Sequence, residues 1–254
     1  MQPVTPVTDG IRLAVGTLTT VPIPAPRKID RRVAGVAMAL GPLAALPLAA
    51  VAGLIVAGGV ALGLPALAVA ALALGAVALG SRGLHLDGLA DTADGLGASY
   101  DRAKALDVMR RGDSGPTGVA TLLFVLLVQT GALTGAISHG HGIAAAVLSV
   151  LCGRCVLSLC CARGVPSARP EGLGATVAGS VPILVAAAVF VLAAGCAALT
   201  PGLPWWRGVL AVGLGYAAAA VLLARCVQRI GGVTGDVLGG CVEVAVAAAL
   251  LATA

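Results

Sequence analysis

Long apolar runs alternate with short polar segments along this chain. The runs occupy roughly 33–58, 60–80, 118–138, 143–162, 181–199 and 208–224, with a shorter one at 240–254. A helix that crosses a bilayer takes about 20 apolar residues. These runs are continuously apolar, without the alternation of a barrel strand. The pattern predicts an all-α, polytopic transmembrane helical bundle of about six to seven spans, forming one integral-membrane domain over 1–254. Its polar parts are a cytoplasmic or interfacial segment at 1–32, an aspartate-rich cytoplasmic loop at 81–117 and a second polar loop at 225–240. Residues 1–10 hold no basic run, and Pro22, Pro24 and Pro26 interrupt the stretch after them, so a cleaved leader is not expected. Residues 11–24 fit either the interface or the seal of a cavity.

Composition narrows the class. Of 254 residues, 59% are hydrophobic, 11% charged and 2% aromatic, with a mean hydropathy of +1.02. A soluble domain carries about 25% charged residues, so a soluble enzyme, a disordered chain and a disulfide scaffold are excluded. Fourteen basic residues fall on one side if the spans alternate: Arg12, Arg27, Lys28, Arg31, Arg32, Arg82, Arg102, Lys104, Arg110, Arg111, Arg163, Arg169, Arg225 and Arg229. Arg207 alone falls opposite, and Arg154 lies within a span. The positive-inside rule makes the crowded side cytoplasmic. The net charge of +5 then describes a surface suited to anionic lipid and to an anionic substrate, with no nucleic-acid motif beside it. The seven cysteines read as small packing residues, because Cys152-Gly-Arg-Cys155 has no second pair. His139-Gly-His141 reads as a turn.

The acids are concentrated. Of the eleven, six fall within 81–117: Asp87, Asp91, Asp94, Asp101, Asp107 and Asp113. Asp87, Asp91 and Asp94 stand at i, i+4 and i+7, within about 60° of one another on a helix. Like charges on one face repel, and a divalent cation reverses the sign. Hard oxygen donors without cysteine suit Mg²⁺ or Mn²⁺ better than Zn²⁺. Two further polar clusters share this side. Gly231-Gly232-Val-Thr234-Gly235-Asp236 can present backbone N–H groups as an anion nest, with the Asp236 carboxylate open to metal. Met109-Arg110-Arg111-Gly112-Asp113-Ser114-Gly115-Pro116 places basic side chains beside a helix start, where Arg110 can meet phosphate. Carboxylates, arginines and a lipid-embedded body together point to phosphoryl-group transfer at a membrane surface.

The string Gly83-Leu-His85-Leu-Asp87-Gly-Leu-Ala-Asp91-Thr-Ala-Asp94-Gly resembles the signature of the cobalamin synthase family, the adenosylcobinamide-GDP ribazoletransferases. Gly231–Gly239 is similar to that family's second signature, and Leu18-Thr-Thr-Val-Pro22-Ile-Pro24 to its N-terminal one. The resemblance implies a Mg²⁺-dependent reaction of adenosylcobinamide-GDP with α-ribazole, or its 5′-phosphate, at the cytoplasmic face of the cell inner membrane. GMP would leave, and adenosylcobalamin or its 5′-phosphate would form. It assigns Asp87, Asp91 and Asp94 to metal or base duty and has His85 orient a carboxylate. Asp236 becomes a second metal carboxylate, and Arg110 and Gly235 become phosphate contacts. There are two departures. Matching Gly115 and Gly118 to the family's third motif puts Arg111 and Gly112 where it has Asp-Ser, and Val246 stands where an acid often follows the one matching Glu243.

Other readings differ in substrate or class. A CDP-alcohol phosphotransferase calls for Arg where Asp91 follows Ala90, and an aspartate-rich prenyltransferase calls for a second DxxxD loop. A cation-coupled transporter places its charges at mid-membrane, where this sequence has only Arg154.

Overall fold

The computed structural model describes residues 6–254, and their regular structure is helical, apart from two isolated β-bridges. The helices are α1 (Pro6–Leu18), α2 (Arg31–Ala39), α3 (Gly41–Ala44), α4 (Leu46–Ala61), α5 (Ala66–Gly80), α6 (Leu84–Ala98) and α7 (Arg102–Arg111). They continue as α8 (Pro116–Ser138), α9 (Gly142–Cys160), α10 (Leu173–Val177), α11 (Ile183–Ala198), α12 (Trp205–Ile230) and α13 (Gly235–Thr253). Every expected span is helical. Four described helices (α8, α9, α12 and α13) are long and apolar enough to cross a bilayer, and the bent α5–α6 pair raises that to five. Helices α4 and α11 are apolar but 16 residues long. Leu54, Leu72, Phe124, Leu184 and Val221 face outward at these helices, as lipid-facing residues do.

Prolines explain where the runs break. The expected 33–58 span is three helices, because Pro42 and Pro47 sit in the first turns of α3 and α4 and each begins a new helix. Asp30 starts α2 by accepting from Arg32 N and Val33 N, both at 3.0 Å. The final run is a full helix of 19 residues, α13, wedged between α6, α9 and α12. Its last turn reaches the α8–α9 turn, where His141 Nε2 lies 2.6 Å from Thr253 O. The chain therefore ends on the face opposite the arginine-rich one. His139-Gly140-His141 is a turn, as expected, with Gly140 at φ 84°. All seven cysteines are free, and all but Cys196 are buried in helix packing.

The 81–117 segment is helical rather than loop. After α5 the chain passes through Arg82 (φ 57°) and Gly83 (φ 68°) and leaves as α6 at 89° to α5. That turn lays α6 along the arginine-rich face. The N-terminal helix α1 braces it: Arg82 Nη2 donates to Gly16 O at 2.7 Å, and Thr20 N donates to Gly80 O at 2.8 Å. Thr20 thus ties the Leu18–Pro24 string to the last residue of α5, just before the bend from which the aspartate helix starts.

Candidate active site

Helix α6 carries Asp87 exposed, with His85, Asp91 and Asp94 buried. It meets α13 backbone to backbone. A Cβ on Gly88 would stand 2.6 Å from Asp236 O and 2.9 Å from its Cα, and one on Gly239 would stand 3.1 Å from His85 Cα. The two glycines let the main chains touch, which carries Asp236 to the aspartates of α6. Burial, then the carboxylates of Asp87, Asp236 and Asp94, push the Asp91 carboxyl up to about 6, while Arg169 acts the other way. The two polar clusters expected to cooperate do share one electrostatic site.

Arg169 reaches that site by a long-range stitch. Ala168 N donates to Val233 O at 2.9 Å, and Val233 N donates to Pro166 O at 2.9 Å. Gly232 makes the crossing possible: at φ 152°, a Cβ there would stand 2.7 Å from Pro166 C. Arg169 then points Nη2 at Leu106 O, 2.8 Å away, and Nη1 at Asp236 Oδ2, 3.9 Å away. A cavity of about 320 Å³ opens beside it, lined also by Leu106, Asp107, Arg110 and Pro170. Arg110 thus lines this cavity, and Arg169 is a second arginine there that the sequence presents only as a topogenic charge. Of the backbone N–H groups expected as an anion nest at 231–236, those of Gly231 and Val233 are taken by other partners. Gly231 N is held by Val227 O at 3.1 Å, Val233 N belongs to the stitch, and Thr234 Oγ1 accepts from Val237 N at 3.2 Å. Gly235 is the first residue of α13 and follows this cap.

Asp94 has another occupation. Its Oδ2 accepts from Gly115 N at 2.7 Å and its Oδ1 from Gly118 N at 2.8 Å, so it caps the N-terminus of α8. A Cβ on Gly115 would stand 2.5 Å from Asp94 Oδ1, and one on Gly118 would overlap Oδ2. That packing accounts for the two glycines, and the shifted Asp113-Ser114 pair is exposed before them. Asp94→Asn sets an amide N–H₂ against a backbone donor, and the expected loss is about 2 to 3 kcal/mol of stability. A thermal melt of the purified variant in detergent measures it; an unchanged midpoint would contradict the capping role.

His85 orients no carboxylate. Its Nδ1 accepts from Arg154 Nη2 at 3.3 Å, and Nε2 is buried without a partner among the described residues. Burial first, and the Arg154 cation second, hold the imidazole well below its ordinary pKa. Arg154 is 1% exposed, inside α9, and feels the charge of Glu243 on α13. Glu243 Oε2 in turn accepts from Gln129 Nε2 at 2.8 Å. Glu243 thus belongs to a buried network beneath α6 and not to the aspartate surface.

Comparison with known proteins decides the class. The chain matches the family described as Cobalamin-5-phosphate synthase over residues 10–254. It belongs to the cobalamin-5-phosphate synthase family. A relative from Nocardioides sp. is 47% identical over 246 residues, covering 97% of this chain and 98% of the relative. One from Frankia casuarinae is 40% identical over 259 residues, covering 96% and 93%. Both are named adenosylcobinamide-GDP ribazoletransferase. No solved structure matches. A cobalamin-5-phosphate synthase is an enzyme, so the transporter, CDP-alcohol and prenyl readings fall away.

The metal expectation can be tested on the donor set. Among the described residues, no three His, Cys, Asp or Glu side chains come together closely enough to hold a metal ion. Mg²⁺ does not need such a trio: it keeps several waters and takes one or two carboxylates plus substrate phosphate oxygens. Asp87, Asp91 and Asp236 offer only hard oxygens, and their mutual repulsion, visible at Asp91, is what a cation relieves. The residues present fit Mg²⁺.

Proposed function

We propose that this protein transfers the adenosylcobinamide-phosphate group of adenosylcobinamide-GDP to α-ribazole or its 5′-phosphate, releasing GMP, with Asp87 and Asp236 the two carboxylates that would hold Mg²⁺ together with substrate phosphate oxygens. The observation that carries this reading is the meeting of the α6 aspartates with Asp236 and Arg169 beside the Arg110-lined cavity. At about 320 Å³ that cavity is at the small end for a ligand site. It suits the diphosphate arm and leaves the corrin ring at the bilayer edge. The arginine-rich face is cytoplasmic in this reading, and the membrane is the cell inner membrane.

In the reaction a ribose hydroxyl attacks the phosphorus linked to cobinamide. The new P–O bond forms as the bond to the GMP oxygen breaks. Asp91, whose carboxyl is pushed up by burial and by its acidic neighbours, takes the hydroxyl proton. Arg110 and Arg169, which line the cavity together, hold the phosphate oxygens. Bound Mg²⁺ supplies the charge that stabilises the departing phosphate. Asp94 and His85 act by position: one fixes α8 against α6, and the other fixes α6 against Arg154.

The metal requirement has a direct check. Protein in lipid vesicles, given both substrates, should release GMP with Mg²⁺ present and stop on adding EDTA. Restoring Mg²⁺ should restore the rate. Undiminished GMP release in EDTA would overturn the assignment of these carboxylates to a metal.

A further inference from the structure

A second cavity, of about 520 Å³, lies away from the aspartates, between α2, α11 and the segment joining α9 to α11. None of its lining residues belongs to α6, α7, α8 or α13. Arg31, Arg32 and Arg163 line it, and no Asp or Glu does. Arg31 is held in place, with Nη2 donating to Gly179 O at 2.8 Å. The side chains of Arg32 and Arg163 have no ion pair or hydrogen bond among the described residues. The nearby Asp30 carboxylate is already engaged by the α2 amides and by Lys28 Nζ at 3.3 Å. Ser180 Oγ, also at the cavity, is buried with no hydrogen-bond partner among the described residues.

Three guanidinium groups around one hollow repel one another, and an anion reverses the sign of that interaction. The remaining wall shows which anion. Val36, Ala39 and Val185 line it. Val185 is 38% exposed and belongs to α11, whose Ile183, Leu184, Val191 and Leu192 also point outward. The cavity is thus cationic at the arginine-rich face and apolar toward the lipid-facing side of α11. A free phosphomonoester would use the arginines and leave that wall bare. An acyl-bearing phosphate uses both.

We propose that this cavity binds the phosphate headgroup of an anionic phospholipid from the leaflet on the arginine-rich side, with its acyl chains along α11. Arg31, Arg32, Arg163 and Ser180 Oγ receive the phosphate. Basic pockets between membrane helices serve such headgroups generally. The site stands independently of the reaction assigned above, because its occupancy needs no turnover.

The test is native mass spectrometry of the delipidated protein in neutral detergent, titrated with phosphatidylglycerol or phosphatidylcholine. The wild type should retain one phosphatidylglycerol in preference to phosphatidylcholine. The double variant Arg32→Gln/Arg163→Gln should bind it about 30-fold more weakly. Lys104→Gln/Arg225→Gln removes the same charge elsewhere on that face and should bind as the wild type does. Equal retention by the two double variants would overturn the proposal. So would displacement of the lipid by millimolar ribose 5-phosphate, which would make the cavity a soluble-phosphate site. Arg32 and Arg163 are exposed and make no internal contact that the fold needs.

Discussion

Asp91→Asn abolishes turnover while making the metal-free protein more stable. Burial and three neighbouring carboxylates oppose the charge on Asp91, so its ionised form works against the fold. Asn is the same size and carries no charge. Removing a general base costs about 10²- to 10⁴-fold in rate. The sign of the stability change depends on pH. The native carboxyl titrates near 6 against an ordinary value of 3.8. Below the lower value Asp91 is neutral in both states and imposes no penalty. The penalty grows as pH rises between the two values and is complete above the higher one. The Asn variant should therefore melt above the wild type at pH 8 in EDTA and together with it at pH 3.5. Melting curves at both pH values, beside GMP-release rates, check this; an active Asn variant would remove Asp91 from the chemistry.

Gly88→Ala should cost nearly as much activity through packing alone. The added methyl would meet the Asp236 carbonyl at 2.6 Å and the Asp236 Cα at 2.9 Å. Both are backbone atoms, so the strain cannot be relieved by a rotamer change, and α6 must move off α13. A displacement of about 1 Å at a positioned site costs about 10²-fold in rate, and overpacking costs about 1 to 3 kcal/mol. The loss should fall on kcat, because Asp87 and Asp91 part from Asp236 and Arg169 while the cavity of α7 remains. Gly75→Ala, on α5 with nothing within 4 Å of the new Cβ, is the matched control and should be neutral. Wild-type turnover by Gly88→Ala would mean that the two helices need not touch.

The sequence makes one layer of this architecture legible and hides another. Each apolar run is helical because hydropathy and length are local properties. The break of 33–58 at Pro42 and Pro47 is equally local, but the run reads as one span since Pro is tolerated in membrane helices. The aspartate spacing predicts that α6 is helical, although Gly and Asp make the segment look like loop. Packing against α8 and α13 outweighs their weak propensity. The partners of those aspartates are not legible. Asp94 is claimed by amides 21 and 24 residues away. Arg169 comes to Asp236 only through the stitch of 166–168 to Val233. His85 turns to Arg154, 69 residues distant, rather than to its neighbouring acids. Arg154 is visible in the sequence as a charge inside a span, and that is the signal for a buried network.

If the two signature segments build one transferase site, release of GMP must depend on the acceptor. Purified protein in lipid is given adenosylcobinamide-GDP and Mg²⁺, with and without α-ribazole 5′-phosphate, and GMP and corrinoid product are quantified together. GMP should appear only when the ribazole is present, with one corrinoid product formed per GMP. GMP release that ignores the ribazole, or none from well-folded protein, would show that the α6 and α13 segments do not form such a site.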